Sequence, residues 1–340
     1  MVPLFKIKND KAECMLCPHC CKLAKDKEGI CRVRKNNGDK IELLTYGVLS
    51  GYALDPIEKK PLYHFYPGHN ILSIGSYGCN MRCDFCQNYN ISQNIPTSLI
   101  HDATPEKIVS DALSAENNLG IAFTYNEPII WFEYMIDVAV EVKNRGLFTA
   151  MVSNGYINSV PLSELLPLID AFNIDLKAFN NDFYRKFTGT DIQPVKDALR
   201  QIARSGKHLE ITTLIIPGRN DSQKEMALQV EWIAGELGEN VPLHLSRYFP
   251  TYKRDDPATS QETLNKMYEI ASEKLDYVYI GNTVSDRGHN TTCHKCGITV
   301  TERSGYRTRL VNLNSEGMCT GCGALVYKNY SPATSFLSAG

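Results

Sequence analysis

Residues 71–86 read ILSIGSYGCNMRCDFC. An apolar run, Ile71 to Ile74, closes on Gly75, Ser76, Tyr77 and Gly78 and passes directly into Cys79, Cys83 and Cys86. Its length, its β-branched residues and the turn residues behind it predict a buried strand, with the cysteines on the loop at its C-terminal end. Similar runs follow in GIAFTY (120–125), FTAMVSN (148–154), AFNIDLK (171–177), HLEITTLII (208–216), VPLHLSRY (241–248) and YVYIG (277–281). Helical patterns alternate with them near 104–118, 129–145, 161–168, 191–205, 223–238 and 260–274, and Thr104 and Ser222 are candidate N-caps. Six core strands, with a candidate seventh, alternating with helices predict a parallel sheet covered by helices. The expected fold class is therefore α/β, an incomplete (β/α)6-type barrel over 67–285. Small Cys-rich metal-binding modules are expected on either side, over 1–66 and 286–340. In such barrels the C-terminal ends of the strands carry the chemistry.

The 340 residues carry 36 basic and 38 acidic side chains. That balance gives no bulk attraction toward nucleic acid or an anionic membrane, so neither is an expected partner. Apolar stretches fall short of the roughly 20 residues that span a bilayer, and the opening MVPLFKIKNDKAEC has no apolar signal core. A cytoplasmic location is expected. All 12 cysteines fall into three groups, a distribution that in a reducing compartment indicates metal binding rather than disulfides.

The central group holds three cysteines in C-x3-C-x2-C spacing. Three thiolates can hold three irons of a [4Fe–4S] cluster and leave the fourth iron open, whereas electron-transfer clusters take four. The ordinary alternative is zinc completed by a distant ligand. Other polar residues fall at the ends of later strands: Glu127 in Thr124-Tyr125-Asn126-Glu127-Pro128, Asn154 in Ser153-Asn154-Gly155, then Asp175 and Lys177, and His244. Taken singly, Glu127 reads as a helix cap, Asp175 and Lys177 as outward strand residues, and His244 as a core histidine. Their joint placement downstream of the cysteines favours one shared site. Pro217-Gly218-Arg219-Asn220-Asp221 reads as a turn. Arg247, Tyr248 and Tyr252 are candidates for either a substrate pocket or its rim.

The N-terminal stretch offers Cys14, Cys17, His19, Cys20, Cys21 and Cys31, more ligands than one tetrahedral site needs. Zinc and a [4Fe–4S] cluster are both open there, with zinc preferred. At the C-terminus, Cys293-x2-Cys296 and Cys319-x2-Cys322, each pair followed by glycine, have the spacing of a zinc ribbon with a structural role.

The three-cysteine loop, with the aromatic Phe85 before its last cysteine, resembles the signature of the radical S-adenosylmethionine (radical SAM) superfamily. That resemblance implies a [4Fe–4S] cluster on Cys79, Cys83 and Cys86 whose open iron is chelated by SAM, and reductive cleavage of SAM to a 5′-deoxyadenosyl radical. It places Phe85 against the adenine, Glu127 at the SAM amino group, and Asn154, Asp175, Lys177 and His244 around the rest. The glycines that usually precede the glutamate are absent here. Over nearly the whole chain, the order CxLCPH, CNMRCDFCQN, TYNEP, SNGY, DLK, PGRND, HLSRYFP, YIGN and paired cysteines resembles the radical SAM enzymes of the AmmeMemoRadiSam system, relatives of pyruvate formate-lyase activating enzymes. Their pattern selects Cys14, Cys17, Cys21 and Cys31 as the N-terminal ligands. It also implies a low-potential electron donor of flavodoxin or ferredoxin type, and homologues of the AMME-syndrome protein and of Memo as partners. The radical is expected to abstract hydrogen from an unidentified substrate, a small molecule or a partner protein, and glycyl-radical enzyme activation is the alternative reaction. A catalytically idle metal-binding scaffold or nucleic-acid-binding module is the alternative of another class.

Overall fold

The computed structural model describes residues 4–8, 11–283 and 287–331. Its centre is one eight-stranded sheet. β1 (Gly51–Pro56) is antiparallel to β2 (Asn70–Gly75). From β2 onward all strands are parallel and follow in chain order: β3 (Asn118–Phe123), β4 (Phe148–Ser153), β5 (Ala171–Asp175), β6 (His208–Ile215), β7 (Leu243–Arg247) and β8 (Val278–Gly281). β1 and β8 are the two edges, so the sheet is an unclosed barrel. The candidate seventh parallel strand is present as β8. The antiparallel β1 lies within the stretch expected to form the N-terminal module. Its alternating exposure lacks the continuous apolar run that marks the parallel strands.

The helices between the strands are α1 (Pro105–Ser114), α2 (Phe132–Asn144), α3 (Ser159–Leu165), α4 (Ile192–Arg204), α5 (Gln223–Glu236) and α6 (Gln261–Ser272). Thr104 caps α1 by accepting from the Lys107 N–H at 3.3 Å, with Pro105 in the first turn. Ser222 occupies the N-cap of α5 without a side-chain bond. Parallel strands covered on both faces bury nearly every side chain. In β3, Ile121, Ala122 and Phe123 have no exposed surface, and α2 packs Phe132, Met135, Val138 and Val142 into the same core.

The residues after 287 form a small antiparallel sheet of Thr291–Thr292, Thr299–Ser304 and Arg307–Leu310. It docks at the N-terminal ends of the parallel strands. There Val300, Val326 and Tyr327 share a core with Tyr63, Tyr277 and Tyr279. Buried Arg303 lies 4.2 Å over the Tyr63 ring and donates to the Tyr63 carbonyl at 3.0 Å. The opposite end of the barrel stays available for chemistry.

Candidate active site

Cys79, Cys83 and Cys86 line one cavity of ≈ 220 Å³ at the C-terminal ends of the strands, together with Phe85, Glu127, Asn154, Asp175 and Lys177. Thr212, Leu214 and Ser246 continue its wall on β6 and β7. Sequence reasoning thus names residues from four separate loops that the fold brings to one space.

The loop is fixed by its backbone. Arg82 N–H donates to the Thr188 carbonyl at 2.8 Å, Asp84 N–H to the Phe187 carbonyl at 3.2 Å, and Lys253 N–H to the Asp84 carbonyl at 3.0 Å. Asp84 also pairs with Arg254 at 3.0 Å. Phe85 is buried beside Phe183, with ring centres 5.7 Å apart. Burial pushes the Cys83 thiol up to about 12, against the pull of Lys177. It drives Cys79 upward too, reinforced by the nearby Glu127 carboxylate. Three sulfurs bordering one cavity, with no fourth cysteine in its wall, form a donor set that suits a bound cluster.

Around the loop runs a connected polar network. Asn126 accepts from Ser76 N–H at 3.0 Å and donates to the Gly78 carbonyl at 3.1 Å, tying the Thr124–Pro128 segment to the strand end before Cys79. Glu127, fully buried, accepts from Ser153 Oγ at 2.7 Å, from Asn154 N–H at 2.8 Å and from Ile129 N–H at 3.0 Å. The last bond caps the short 3-10 helix Pro128–Trp131, so the capping role and the cavity role coexist. Burial pushes the Glu127 carboxyl up to about 7 although these three donors pull it down. A cationic group entering the cavity would restore the carboxylate.

Asn154 reaches further, donating from its side chain to Asn80 Oδ1 at 2.8 Å and facing Cys79 Sγ at 3.7 Å. Asp175 and Lys177 pair at 2.9 Å. Burial pulls the Lys177 ammonium down, but Asp175 and Cys83 outweigh it and hold it charged. Asn220, in the segment read as a turn, donates to the carbonyls of Lys177 and Leu214 at 2.7 and 2.8 Å. It thereby ties the ends of β5 and β6. Asn80, Asn126 and Asn220 lie inside the CNMRC, TYNEP and PGRND segments but carry no role that their sequence context alone marks.

His244 stands apart from this group. It does not line the cavity, and its Nε2 is 2.6 Å from Glu210 Oε2, with its ring stacked on Tyr279 at 5.2 Å. Glu210 is fully buried, binds His208 at 2.8 Å, and accepts the backbone N–H groups of Tyr63 and His64 at 3.0 and 2.7 Å. His244 belongs to this polar layer inside the barrel and not to the cavity wall, while the expectation from sequence set it beside SAM. Ser246, two residues further along β7, takes the place in the cavity wall. Tyr248 is buried, Tyr252 stacks on Tyr89 at 4.8 Å and Arg247 covers Phe249, and none of the three lines the cavity.

The profile of the radical SAM superfamily matches residues 73–230, the span holding the three cysteines, Glu127, Asn154, Asp175 and Lys177. The chain carries a radical SAM domain over that span. An uncharacterised protein of Methanocaldococcus jannaschii is 39% identical over 322 residues, covering 94% of this chain and 96% of that one. The pyruvate formate-lyase-activating enzyme of Clostridium pasteurianum is 25% identical over 218 residues, covering 58% of this chain and 89% of its own length. Among solved structures, a radical SAM methyltransferase from Sphaerobacter thermophilus shares the fold, with a TM-score of 0.51 and 17% identity over 64% of this chain and 67% of that one. This radical SAM protein is therefore an enzyme whose domain uses a [4Fe–4S] cluster and SAM. Among the described residues, no helix is long and apolar enough to cross a membrane.

The C-terminal cysteines form a compact second centre. The sulfurs of Cys293, Cys296, Cys319 and Cys322 all lie within 4.8 Å of one another. Two equal turns present them: Gly297 N–H donates to the Cys293 carbonyl and Gly323 N–H to the Cys319 carbonyl, both at 2.8 Å. Both glycines have φ of +74°, a conformation that explains the glycine after each pair. Such a group can hold a metal ion.

Proposed function

We propose that this enzyme cleaves SAM reductively and uses the resulting 5′-deoxyadenosyl radical to abstract hydrogen from a substrate held over the barrel mouth. The observation that carries the reading is a cavity lined by three cysteines and no fourth, with a buried carboxylate and a Lys–Asp pair on the facing strand ends. Bound there, cluster and SAM supply the radical. The chain's own residues do the rest. Cys79, Cys83 and Cys86 are the cluster ligands, Phe85 packs against the adenine, and Glu127 receives the SAM ammonium. Asn154, Asp175 and Lys177 hold the ribose and carboxylate. Burial of Phe85, Glu127 and Asn154 limits water at that side of the site and strengthens the Glu127 charge contact.

The chain works with homologues of the AMME-syndrome protein and Memo, takes electrons from a flavodoxin- or ferredoxin-type donor, and acts in the cytoplasm. Zinc occupies the C-terminal centre as a structural ion, the contracted sulfur spacing matching its bond lengths. Resemblance to activating enzymes favours activation of a glycyl-radical enzyme as the second reading.

Deuterium transfer tests the choice. The holoenzyme is incubated with SAM, reductant and perdeuterated AMME-type or Memo-type partner, or with a glycine-deuterated loop peptide. Label appearing in 5′-deoxyadenosine only with the partner supports the proposal. Label only from the peptide supports the activase, and label from neither removes both partner readings.

A further inference from the structure

Beside the three-cysteine loop lies another four-thiol site, built differently from the C-terminal one. Cys14, Cys17, Cys21 and Cys31 line a small cavity of ≈ 20 Å³ whose wall also includes Leu16 and Arg34. Cys20 is not in that wall. It sits at a φ of +44°, with its Sγ 3.7 Å from the Cys17 carbonyl. A water-sized body, about 1.4 Å in radius, has room to move between the lining atoms of this cavity. Tetrahedral zinc draws its sulfurs to ~2.3 Å, hence about 3.8 Å from one another, and leaves no such space.

The C-terminal centre shows the contracted arrangement, with Cys293 and Cys322 sulfurs 3.5 Å apart and Cys296 and Cys319 sulfurs 3.6 Å apart. Among the described residues, the N-terminal four do not gather within the 4.8 Å that encloses the C-terminal four. Neither do Cys79, Cys83 and Cys86, which border the cavity of the active site. A cubane sets irons and sulfides between its thiolates and needs the wider spacing.

A second observation concerns the wall of the same cavity. Arg34 is only 2% exposed and spends two nitrogens on Glu133, at 2.7 and 2.6 Å. Its Nε is buried without a partner. The Arg34 guanidinium acts directly on the Cys14 thiol, so it stands where it can donate to cluster sulfur, and such bonds tune cluster potentials.

We propose that Cys14, Cys17, Cys21 and Cys31 hold a second [4Fe–4S] cluster in place of the zinc preferred from sequence. Its position adds a functional dimension. The Cys31 carbonyl stands 2.6 Å from where a Cβ on residue 78 would be, and Gly78 has a φ of +88°, so only glycine allows this approach. His19 Nε2 binds the Asn80 carbonyl at 2.7 Å. Asn80 lines the N-terminal cavity while Cys79 and Met81 line the active-site cavity. One short segment, 79–81, thus separates the two sites and places a one-electron redox group against the ligand loop of the first cluster.

The test uses the full chain carrying Cys79→Ala, Cys83→Ala and Cys86→Ala, reconstituted anaerobically with iron and sulfide. The proposal expects about four irons and four acid-labile sulfides per chain. It also expects a reduced-state EPR signal that SAM leaves unchanged. Adding Cys14→Ser and Cys31→Ser should abolish the sulfide and the signal while C-terminal metal persists, which also reports that the chain remains folded. A triple variant that takes up no sulfide, or fills both remaining sites with zinc, overturns the proposal. So does sulfide that persists in the five-site variant. Neither result depends on SAM cleavage, which is tested separately on the wild-type chain.

Discussion

The Asn154 side-chain amide donates to Asn80 Oδ1 at 2.8 Å, while the Asn154 backbone N–H donates to Glu127 at 2.8 Å. A single residue at the end of β4 thereby joins the cysteine loop to the buried carboxylate. Asn154→Ala leaves Asn80 Oδ1 without that donor inside the protein. The expected loss is about 1–3 kcal/mol of stability in denaturant titration of the reconstituted protein. Asn154→Asp, which presents an acceptor to an acceptor, should weaken SAM binding at least as much as Asn154→Ala does.

Glu127 supplies a negative charge in a dry site and accepts three protein donors besides. Glu127→Gln keeps the volume and removes the charge. Charge-assisted bonds contribute about 1.5–3 kcal/mol, so SAM should bind roughly tenfold to a hundredfold more weakly to the cluster-loaded variant. Equilibrium binding of SAM under anaerobic conditions checks this, and unchanged affinity would remove Glu127 from the amino-group role.

Glu210 makes the stability of the barrel depend on acid. Burial raises its carboxyl, but hydrogen bonds from His208 and His244 outweigh burial and hold it well below the ordinary carboxylate range. A depressed folded value means that the unfolded chain binds the proton more readily. Its contribution is complete above the ordinary glutamate value and is lost as pH falls from there toward the folded value. Glu210→Gln should therefore flatten the decline in stability below about pH 4.5, as read by unfolding midpoints across an acid series.

At the other end of the molecule, Cys319→Ser removes a buried ligand from the contracted C-terminal centre. Loss of about one metal ion per chain is expected by elemental analysis. The melting temperature should fall, because that module packs Val300 and Tyr327 against Tyr63 and Tyr279 beneath the barrel. Formation of 5′-deoxyadenosine per loaded cluster should stay close to wild type, since the cysteine loop lies at the opposite strand ends.

Parallel strands could be read from the sequence because burial on both faces leaves continuous apolar runs, as in Ile71–Ile74 and Ile121–Phe123. β1 could not, because an edge strand with exposed Tyr52 and Leu54 carries no such run. Cysteine spacing marked both ends of the chain as metal-binding, yet spacing along the chain does not fix the distances among sulfurs. That difference separates Cys293, Cys296, Cys319 and Cys322 from Cys14, Cys17, Cys21 and Cys31. Strand alternation put His244 and Ser246 on one face without saying at what height each would stand. The fold gave Ser246 to the cavity and His244 to Glu210. Asn80, Asn126 and Asn220 were silent in sequence because an asparagine inside a loop motif ordinarily signals a turn.

The central claim is that Cys79, Cys83 and Cys86 hold the cluster at which SAM is cleaved. The most direct test measures 5′-deoxyadenosine formed from SAM by the anaerobically reconstituted, strongly reduced protein beside its Cys79/Cys83/Cys86→Ala counterpart. The intact chain should form 5′-deoxyadenosine and the variant none. Equal formation by both, or none by an iron-loaded intact chain that also fails to bind SAM, would contradict it.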